Sequence, residues 1–176
     1  MCKRMLKSIL VCVLVAGLAG PAMAFMDNKF EKEVAKETGA VKLVREVQRG
    51  DYDLVTTAEL KQWIDSGKAM TIVDTMPYEA SYKKEHVPGA AQFLFPIPDM
   101  TTWDTTETDG KTQQDFVKLL GDDKAKTIVI YCGFVKCTRS HNGAAWARKL
   151  GYTHVYRYSG GIFAWKGAKH PIESVE

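Results

Sequence analysis

Residues 127–140 read TIVIYCGFVKCTRS, and this stretch decides the fold. Its first part, Thr127 to Tyr131, is β-branched and apolar on both faces, as a central strand of a parallel sheet should be. The loop that follows begins at Cys132 and leads into a helix predicted from about Ser140 to Leu150, which Gly151 closes. The order strand, loop, helix predicts an α/β protein.

The same alternation continues on both sides of this stretch. A capping box at residues 56–59 opens a helix that ends near Gly67. Strands that alternate with helices imply a parallel sheet covered on both faces, in which ligands bind beyond the carboxyl ends of the strands. The other predicted elements are a strand over 69–74, a short helix over 78–85, an apolar run over 91–95, a helix over 113–120, a strand over 154–158 and a last helix that opens at Gly160-Gly161.

The first 24 residues predict a cleavable secretory signal peptide. Three basic residues precede an unbroken apolar run from Ile9 to Ala19, and Ala22-Met23-Ala24 supplies the small residues that a signal peptidase requires, with cleavage after Ala24. The run is shorter than the roughly 20 apolar residues that span a bilayer. We therefore expect a periplasmic or secreted protein with no stable membrane insertion after cleavage, and an N-terminal membrane anchor is the alternative.

The charge balance of the chain bears on its partners. The whole chain contains 24 Lys and Arg and 21 Asp and Glu, and the predicted signal peptide contains three of the basic residues and no acidic one. Residues 25–176 are therefore formally neutral, without a basic cluster, and nucleic acid is not expected as a partner. We predict a helical N-terminal arm over 25–52, made of one or two short amphipathic helices around Gly39, and a single domain over 53–176.

The chemistry of the chain is predicted to centre on Cys132. Because the thiolate is the reactive form of cysteine, a site that uses it must stabilise negative charge. The loop after Cys132 feeds a helix whose first amides are unpaired donors, Gly133 lets the backbone bend beside the sulfur, and Arg139 adds a fork of donors. Cys132 is the predicted catalytic nucleophile. The residues predicted to bind its substrate are Gly133, Phe134, Val135, Lys136, Cys137, Thr138 and Arg139.

Four stretches, in order, resemble the rhodanese homology domain over roughly residues 53–174. They are Ile72-Val73-Asp74 with Tyr78-Glu79-Ala80, the turn EHVPGA at 85–90, Ile130-Tyr131-Cys132 with Arg139-Ser140, and GGIFAW at 160–165. The resemblance implies a central five-stranded parallel sheet with helices on both faces. It also implies a sulfurtransferase without a cofactor, in which Cys132 takes sulfane sulfur from thiosulfate, a polysulfide or a persulfide and hands it to a thiol or to cyanide. The expected partners are therefore small sulfur-containing anions and a thiol acceptor, either a small molecule or a protein.

The sequence departs from this family pattern in three places. Asp74 is followed by Thr-Met, where the family usually has Arg at the second position, so Asp74 is interpreted as structural. Glu85 stands where the turn usually begins with Gly. Six residues separate Cys132 from Arg139, more than in ordinary rhodaneses or in the related dual-specificity phosphatase branch. The longer loop suits a longer polysulfide chain or a bulkier oxyanion, and it leaves open whether Arg139 takes the position of the family's arginine.

Other interpretations of these residues stay open. The closeness of Cys132 and Cys137 also fits a thiol–disulfide redox protein, and the long loop fits an anion-binding or phosphatase-like module. Cys137 could be a resolving thiol, a second sulfur carrier, a disulfide partner or a bystander, and Cys132 alone could be a small core residue. His141 could add positive potential or be a polar surface group. The loop at 96–112 could be functional or a surface insertion, and we expect no metal, because two cysteines make a poor zinc site.

Overall fold

A computed structural model describes residues 21–175, with side chains from residue 29 onward; residues 1–20, which make up most of the predicted signal peptide, lie outside the described residues. The α-helices of the described part are α1 (Pro21–Gly50), α2 (Thr57–Asp65), α3 (Gln113–Leu120), α4 (Arg139–Lys149) and α5 (Gly161–Gly167). Its strands are β1 (Asp53–Val55), β2 (Met70–Asp74), β3 (Ala91–Gln92), β4 (Thr127–Tyr131) and β5 (His154–Tyr158). A π-helical turn spans Tyr78–Tyr82, and a 3₁₀ helix spans Thr105–Thr108.

The five strands form one parallel sheet in the order β1-β5-β4-β2-β3. Strand β4 is central, as the sequence predicts. Its last residue, Tyr131, is level with Asp74 of β2 and Tyr158 of β5, so these three strands end side by side. The predicted α/β fold with a five-stranded parallel sheet is confirmed, and the segment after Tyr131 starts at the middle of the carboxyl edge.

Apolar side chains cover the sheet on both faces. Ile128 and Ile130 belong to one buried cluster and Val129 and Tyr131 to another, because successive residues of a strand point to opposite faces. The first cluster also contains residues of α3 and α4, and the second contains residues of α2 and α5. All four of these β4 side chains are fully buried. The prediction of a strand buried on both faces is therefore confirmed.

Short sequence motifs predict where several of the helices and strands begin or end. Thr56 and Glu59 form the predicted capping box, with the Thr56 side chain accepting from the Glu59 amide and the Glu59 carboxylate accepting from the Thr56 amide. Helix α4 begins at Arg139, one residue before the predicted start. In the apolar run over 91–95 only Ala91 and Gln92 form a strand paired with β2, and the amides of Phe93 and Phe95 donate to the carbonyl oxygens of Asp74 and Thr75.

Of the one or two helices predicted around Gly39 the structure has one, since α1 runs through this residue. A glycine inside a helix costs about 1 kcal/mol relative to alanine. Here it is buried, and a Cβ would lie 3.3 Å from Cε of Lys136, so the glycine makes room for a side chain of the loop after β4. The described side chains at 29–36 are exposed, and the domain unit begins at Glu37.

Helix α5 begins against the loop after β4. The amides of Ile162 and Phe163 donate to the carbonyl oxygens of Cys132 and Gly133, both at 3.0 Å. Gly161 has φ +61°, and a Cβ at this position would lie 2.1 Å from the Cys132 carbonyl oxygen. Only glycine tolerates both the left-handed conformation and this close approach, so the Gly160-Gly161 pair fixes one end of the loop.

Replacing Gly161 by Ala should lower the free energy of unfolding by more than about 2 kcal/mol, because the left-handed backbone and the contact with Cys132 oxygen both oppose a Cβ. Gly167→Ala is the matched control in the same helix, since a Cβ there meets nothing within 4 Å. Urea denaturation of both variants measures the difference. Equal stability of the two would contradict the described packing.

Candidate active site

The loop between β4 and α4 folds back on itself. It runs from Cys132 to Thr138, and the Cys137 amide donates to the Phe134 carbonyl oxygen at 3.0 Å. This turn brings the Cys137 carbonyl oxygen to 3.5 Å from Cys132 Sγ, although five positions separate the two residues. Both are free cysteines. The two cysteines of the predicted loop therefore form one pair.

The Cys132 sulfur faces two carbonyl oxygens together with the hydroxyl and amide of Ser140. Its side chain is 1 % exposed, and Sγ lies 3.3 Å from Ser140 Oγ, 3.5 Å from the Cys137 carbonyl oxygen and 3.9 Å from the Phe134 carbonyl oxygen. A thiol can donate to these carbonyls, whereas a thiolate would be repelled by them. Burial and the hydrogen bond to Cys137 raise the pKa of Cys132 well above its usual value. Cys132 is therefore a protonated thiol at neutral pH.

The Cys137 sulfur lies among hydrogen-bond donors. The hydrogen bond from the Cys132 side chain has the largest effect, and although burial opposes it, the backbone amides of Arg139 and Gly133 lower the pKa of Cys137 further, to about 6. Arg139 is the first residue of α4, so the helix start contributes one of these amides. The anion-binding arrangement that the sequence predicts beside Cys132 surrounds Cys137 in this structure. The catalytic assignment of Cys132 stays a prediction.

A buried arginine on β5, Arg157, holds the loop by hydrogen bonds to its backbone. Arg157 Nη2 donates to the carbonyl oxygens of Cys137 at 2.8 Å and Val135 at 3.3 Å, and its Nε donates to Ser140 Oγ at 2.9 Å. Ser140 Oγ is the same atom that contacts Cys132 Sγ. Arg157 thus holds the loop backbone and the hydroxyl that faces the buried thiol.

Helix α1 supplies the counter-charge for this arginine. Glu46 Oε2 lies 2.5 Å from Arg157 Nη1, with the two side chains 1 % and 0 % exposed. Tyr52 OH accepts a second hydrogen bond from Nη1 at 3.2 Å. One turn before Glu46, Lys42 Nζ donates to Thr138 Oγ1 at 2.7 Å and to a loop carbonyl. The part of the predicted arm from Glu37 to Gly50 is therefore built into the site.

Arg139 and His141, two basic residues near the loop, make contacts that the sequence alone does not predict. The Arg139 guanidinium donates through Nη1 to the Phe95 carbonyl oxygen, and its charge helps to stabilise a Cys137 thiolate. His141 is buried on α4, where Nδ1 and Tyr52 OH share a hydrogen bond of 2.8 Å. Burial lowers the pKa of His141 to about 4, so the ring is neutral. Both interpretations of His141, as a source of positive potential and as a surface group, are wrong, because it faces inward.

The loop at 96–112 packs against α4. Asn142 Nδ2 donates to the carbonyl oxygens of Pro96 and Pro98, and Asn142 Oδ1 accepts from the Met100 amide. Trp146 Nε1 donates to the Met100 carbonyl oxygen at 2.9 Å. These contacts tie the start of the long loop to the helix that follows the cysteines.

A pocket of about 530 Å³ opens above Cys137. Phe134 and Phe163 form part of its wall, are 45 % and 60 % exposed, and contact each other with ring centroids 5.5 Å apart. Two cations, Lys84 and Arg139, also line it. The remaining lining residues are Met76, Pro77, Ala80, Ser81, Glu85 and Ile97. The pocket offers apolar contact area and positive charge beside a partly exposed sulfur.

The described residues contain neither a membrane-spanning helix nor a cluster of metal-binding side chains. Within 21–175, no helix is long and apolar enough to cross a membrane. In that same part of the chain, no three His, Cys, Asp or Glu side chains are grouped so that they could hold a metal ion.

A family-wide sequence model for the rhodanese-like domain matches residues 56–168. The chain belongs to the rhodanese-like family. No curated protein matches it. Because residues 56–168 include all of the loop from Cys132 to Arg139, the family pattern and the site described above coincide.

Solved structures share the fold at low sequence identity. The BH2092 protein from Bacillus halodurans is 24% identical, with TM-score 0.56, over 77% of this chain and 86% of that one. A thiosulfate sulfurtransferase from Pseudomonas aeruginosa is 19% identical, with TM-score 0.57, over 78% of this chain and 23% of that one. A protein of unknown function from Rhodopseudomonas palustris, described as a possible tyrosine phosphatase, is 24% identical, with TM-score 0.51, over 74% and 93%. At these identities the likeness shows the rhodanese-like fold alone.

The residues that sequence reasoning missed lie far from the loop along the chain. Glu46 and Arg157 are 111 positions apart, and neither is among the predicted site residues. One local signal exists, since Arg157 interrupts the apolar and aromatic run of β5, and a charge inside a central strand calls for a buried partner. Of the predicted residues, Gly133 and Arg139 contact Cys137, whereas Lys136 is exposed and reaches the site only through its carbonyl oxygen, which binds Lys42.

The alkylation rate of Cys137 should follow a titration with a midpoint near pH 6, because its thiolate is stabilised by Cys132 and by two amides. In Cys132→Ala the midpoint should rise, since the largest stabilising hydrogen bond is lost. Iodoacetamide labelling across pH, read by peptide mass spectrometry, measures both midpoints, and Cys132 in a Cys137→Ser variant serves as the slow control. A wild-type midpoint at about 8.5, the value of a free thiol, would contradict the described environment.

Replacing Glu46 by Gln should lower the free energy of unfolding by about 3–5 kcal/mol, because it leaves the Arg157 charge buried without its partner. Asp65→Asn is the control, since it removes the carboxylate of the more exposed Lys61–Asp65 pair and should change stability by less than about 1 kcal/mol. Urea denaturation compares the two variants. Effects of the same size would show that the buried pair has no special role.

Proposed function

We propose that this protein is a sulfurtransferase that carries sulfane sulfur as a persulfide on a cysteine of the loop at 132–139. The donors are thiosulfate, polysulfides or persulfides, and the acceptor is a thiol or cyanide. The observation that carries the proposal is a pair of adjacent cysteines at the start of α4, with Cys137 lining an open pocket and Cys132 buried next to it. Membership of the rhodanese-like family supports it.

The transfer needs two nucleophilic steps and no cofactor. A cysteine thiolate attacks the sulfane sulfur of the donor, the donor's S–S bond breaks, and the leaving group takes the bonding electrons; from thiosulfate it leaves as sulfite. The acceptor thiolate or cyanide then attacks the outer sulfur of the persulfide and restores the cysteine thiolate. The loop amides and the start of α4 stabilise the anionic sulfur in both steps. The sequence predicts that the persulfide forms on Cys132, and the proposed function itself needs only that one of the two loop cysteines carries it.

The residues around Cys132 do not favour the phosphatase-like alternative. A phosphate ester brings several oxygens with negative charge, which need amide or guanidinium donors. The carbonyl oxygens of Phe134 and Cys137 lie 3.9 and 3.5 Å from Cys132 Sγ, where they would repel such oxygens. The Arg139 guanidinium donates instead to the Phe95 carbonyl. The same carbonyls would repel the oxygens of thiosulfate at this position, so a sulfane chain without oxygens, as in a polysulfide or persulfide, suits the surroundings of Cys132 better.

The proposal places this reaction outside the cytoplasm. The signal peptide predicted over residues 1–24 supports export, and cleavage after Ala24 would leave the arm from Glu37 to Gly50 intact. Glu46 and Lys42 would therefore remain on the exported chain. Amino-terminal sequencing of the protein recovered from the periplasm or medium tests both the export and the cleavage point.

Incubating the reduced protein with thiosulfate, and separately with inorganic polysulfide, should add sulfur transiently to the wild type, and cyanide present from the start should capture this sulfur as thiocyanate. Intact-mass measurement detects the addition. Cys132→Ser/Cys137→Ser is the control that should take up none, and release of nitrophenol from an aryl phosphate tests the phosphatase alternative in the same samples. Sulfur uptake by the double variant, or phosphate ester hydrolysis without sulfur uptake by the wild type, would overturn the proposal.

A further inference from the structure

The two sulfurs of the loop differ in access to the pocket. Cys137 is partly exposed and lines the pocket, together with Phe134, Phe163 and Arg139. Cys132 is 1 % exposed and lies beneath it, next to Ser140. A donor molecule that enters the pocket meets the Cys137 sulfur first.

They also differ in the groups that surround them. Donors face Cys137, namely the amides of Gly133 and Arg139 and the thiol of Cys132. Cys132 faces two carbonyl oxygens, at 3.5 and 3.9 Å, and the hydroxyl and amide of Ser140, whose effect on its pKa is smaller than that of burial. The pKa of Cys137 is therefore lowered and that of Cys132 is raised, and the two residues are adjacent, with Cys132 Sγ 3.5 Å from the Cys137 carbonyl oxygen. An attacking cysteine and its resolving partner are arranged in this way. The thiolate of the attacking cysteine faces the pocket, and the thiol of the resolving cysteine lies behind it.

We propose that Cys137 is the first nucleophile for sulfane sulfur and that Cys132 is its resolving thiol, so that the pair reduces sulfane sulfur to hydrogen sulfide and closes an intramolecular disulfide. The proposal rests on the proposed function, because it needs sulfur uptake by the loop. It adds a reductive outcome, which applies when no acceptor takes the persulfide.

The steps balance without a further oxidant. The Cys137 thiolate attacks the terminal sulfur of a donor chain, the donor's S–S bond breaks, and the shortened donor leaves as a thiolate. Cys132 Sγ then bonds to Cys137 Sγ, the bond to the outer sulfur breaks, and that sulfur leaves with the electron pair and the Cys132 proton as hydrogen sulfide. The sulfane sulfur is reduced, and the two cysteines are oxidised. An external dithiol is needed to reduce the disulfide before the next turnover.

Ser140 supports the second step. Its hydroxyl lies 3.3 Å from Cys132 Sγ and accepts a hydrogen bond from Arg157 Nε, which fixes its position. The hydroxyl can donate to the Cys132 sulfur as the proton leaves, and this contact favours the Cys132 thiolate. The buried arginine thereby acts through Ser140 on the resolving thiol.

The pocket indicates the class of donor. Its wall carries Met76, Ile97 and two phenylalanines, and its charge comes from Lys84 and Arg139, because Glu85 is paired with Lys166 at 2.6 Å. A chain of sulfane sulfurs with an anionic end is polarizable along its length and can lie against thioether and aromatic groups. Inorganic polysulfide is therefore the probe of choice.

The test uses the purified reduced full chain and inorganic polysulfide, with no acceptor present. The wild type should release sulfide and end as a species lighter by two hydrogens, with a peptide that links residues 132 and 137. Cys132→Ser should stop at a persulfide on Cys137. Cys137→Ser should take up sulfur more than about tenfold more slowly, since only a buried protonated thiol remains. The double variant provides the background of sulfide from polysulfide itself.

Peptide mapping of the wild type, quenched early, gives the order of events without any substitution. The first persulfide should be on Cys137. Early persulfide on Cys132, uptake by Cys137→Ser at the wild-type rate, or a wild-type persulfide that persists without disulfide formation would each overturn this inference and leave sulfur transfer intact. Absence of both sulfur uptake and sulfide release from every variant would overturn the proposed function as well.

Discussion

The ion pair between Arg157 and Glu46 is the interaction on which the cysteine loop depends. Desolvating two charges is unfavourable unless nearly every donor and acceptor is satisfied. Arg157 meets this condition by using Glu46, Tyr52, Ser140 and two loop carbonyl oxygens together. The loop carbonyls are thus drawn towards the guanidinium, while other loop amides remain available to the sulfur of Cys137. The buried charge of Arg157 therefore orients the loop carbonyls and leaves loop amides to face Cys137.

The main features of the fold could be read from local sequence, because they follow from local physics. Strand β4 alternates its side chains between two apolar clusters, and the Thr56 capping box starts α2 where the pattern predicts. Helix α1 could be predicted only as one or two helices around Gly39, because this glycine serves a tertiary contact with Lys136. Hydrophobic periodicity and capping motifs report the preferences of a local segment. They carry no information about which distant side chain packs against that segment.

The site could be predicted only in part for the same reason. The kind of environment, a loop of amides feeding a helix, follows from a strand, a glycine and a helix start in sequence. Which sulfur lies in it depends on how the six intervening residues turn, and the hydrogen bond from the Cys137 amide to Phe134 decides this. The contributions of Glu46 and Arg157 come from segments 111 positions apart and leave no local pattern beyond one charge in an apolar strand.

Because α1 contacts Arg157, the domain defined by the family match and the domain defined by physical contacts have different boundaries in this chain. The family pattern spans residues 56–168 and includes Arg157, whereas Glu46 and Tyr52 precede it. A boundary drawn at the start of the family match would place a guanidinium in the core and leave its counter-ion outside. In this chain the unit inherited from the family is smaller than the unit that is electrostatically complete, and the helix before the match belongs to the physical domain.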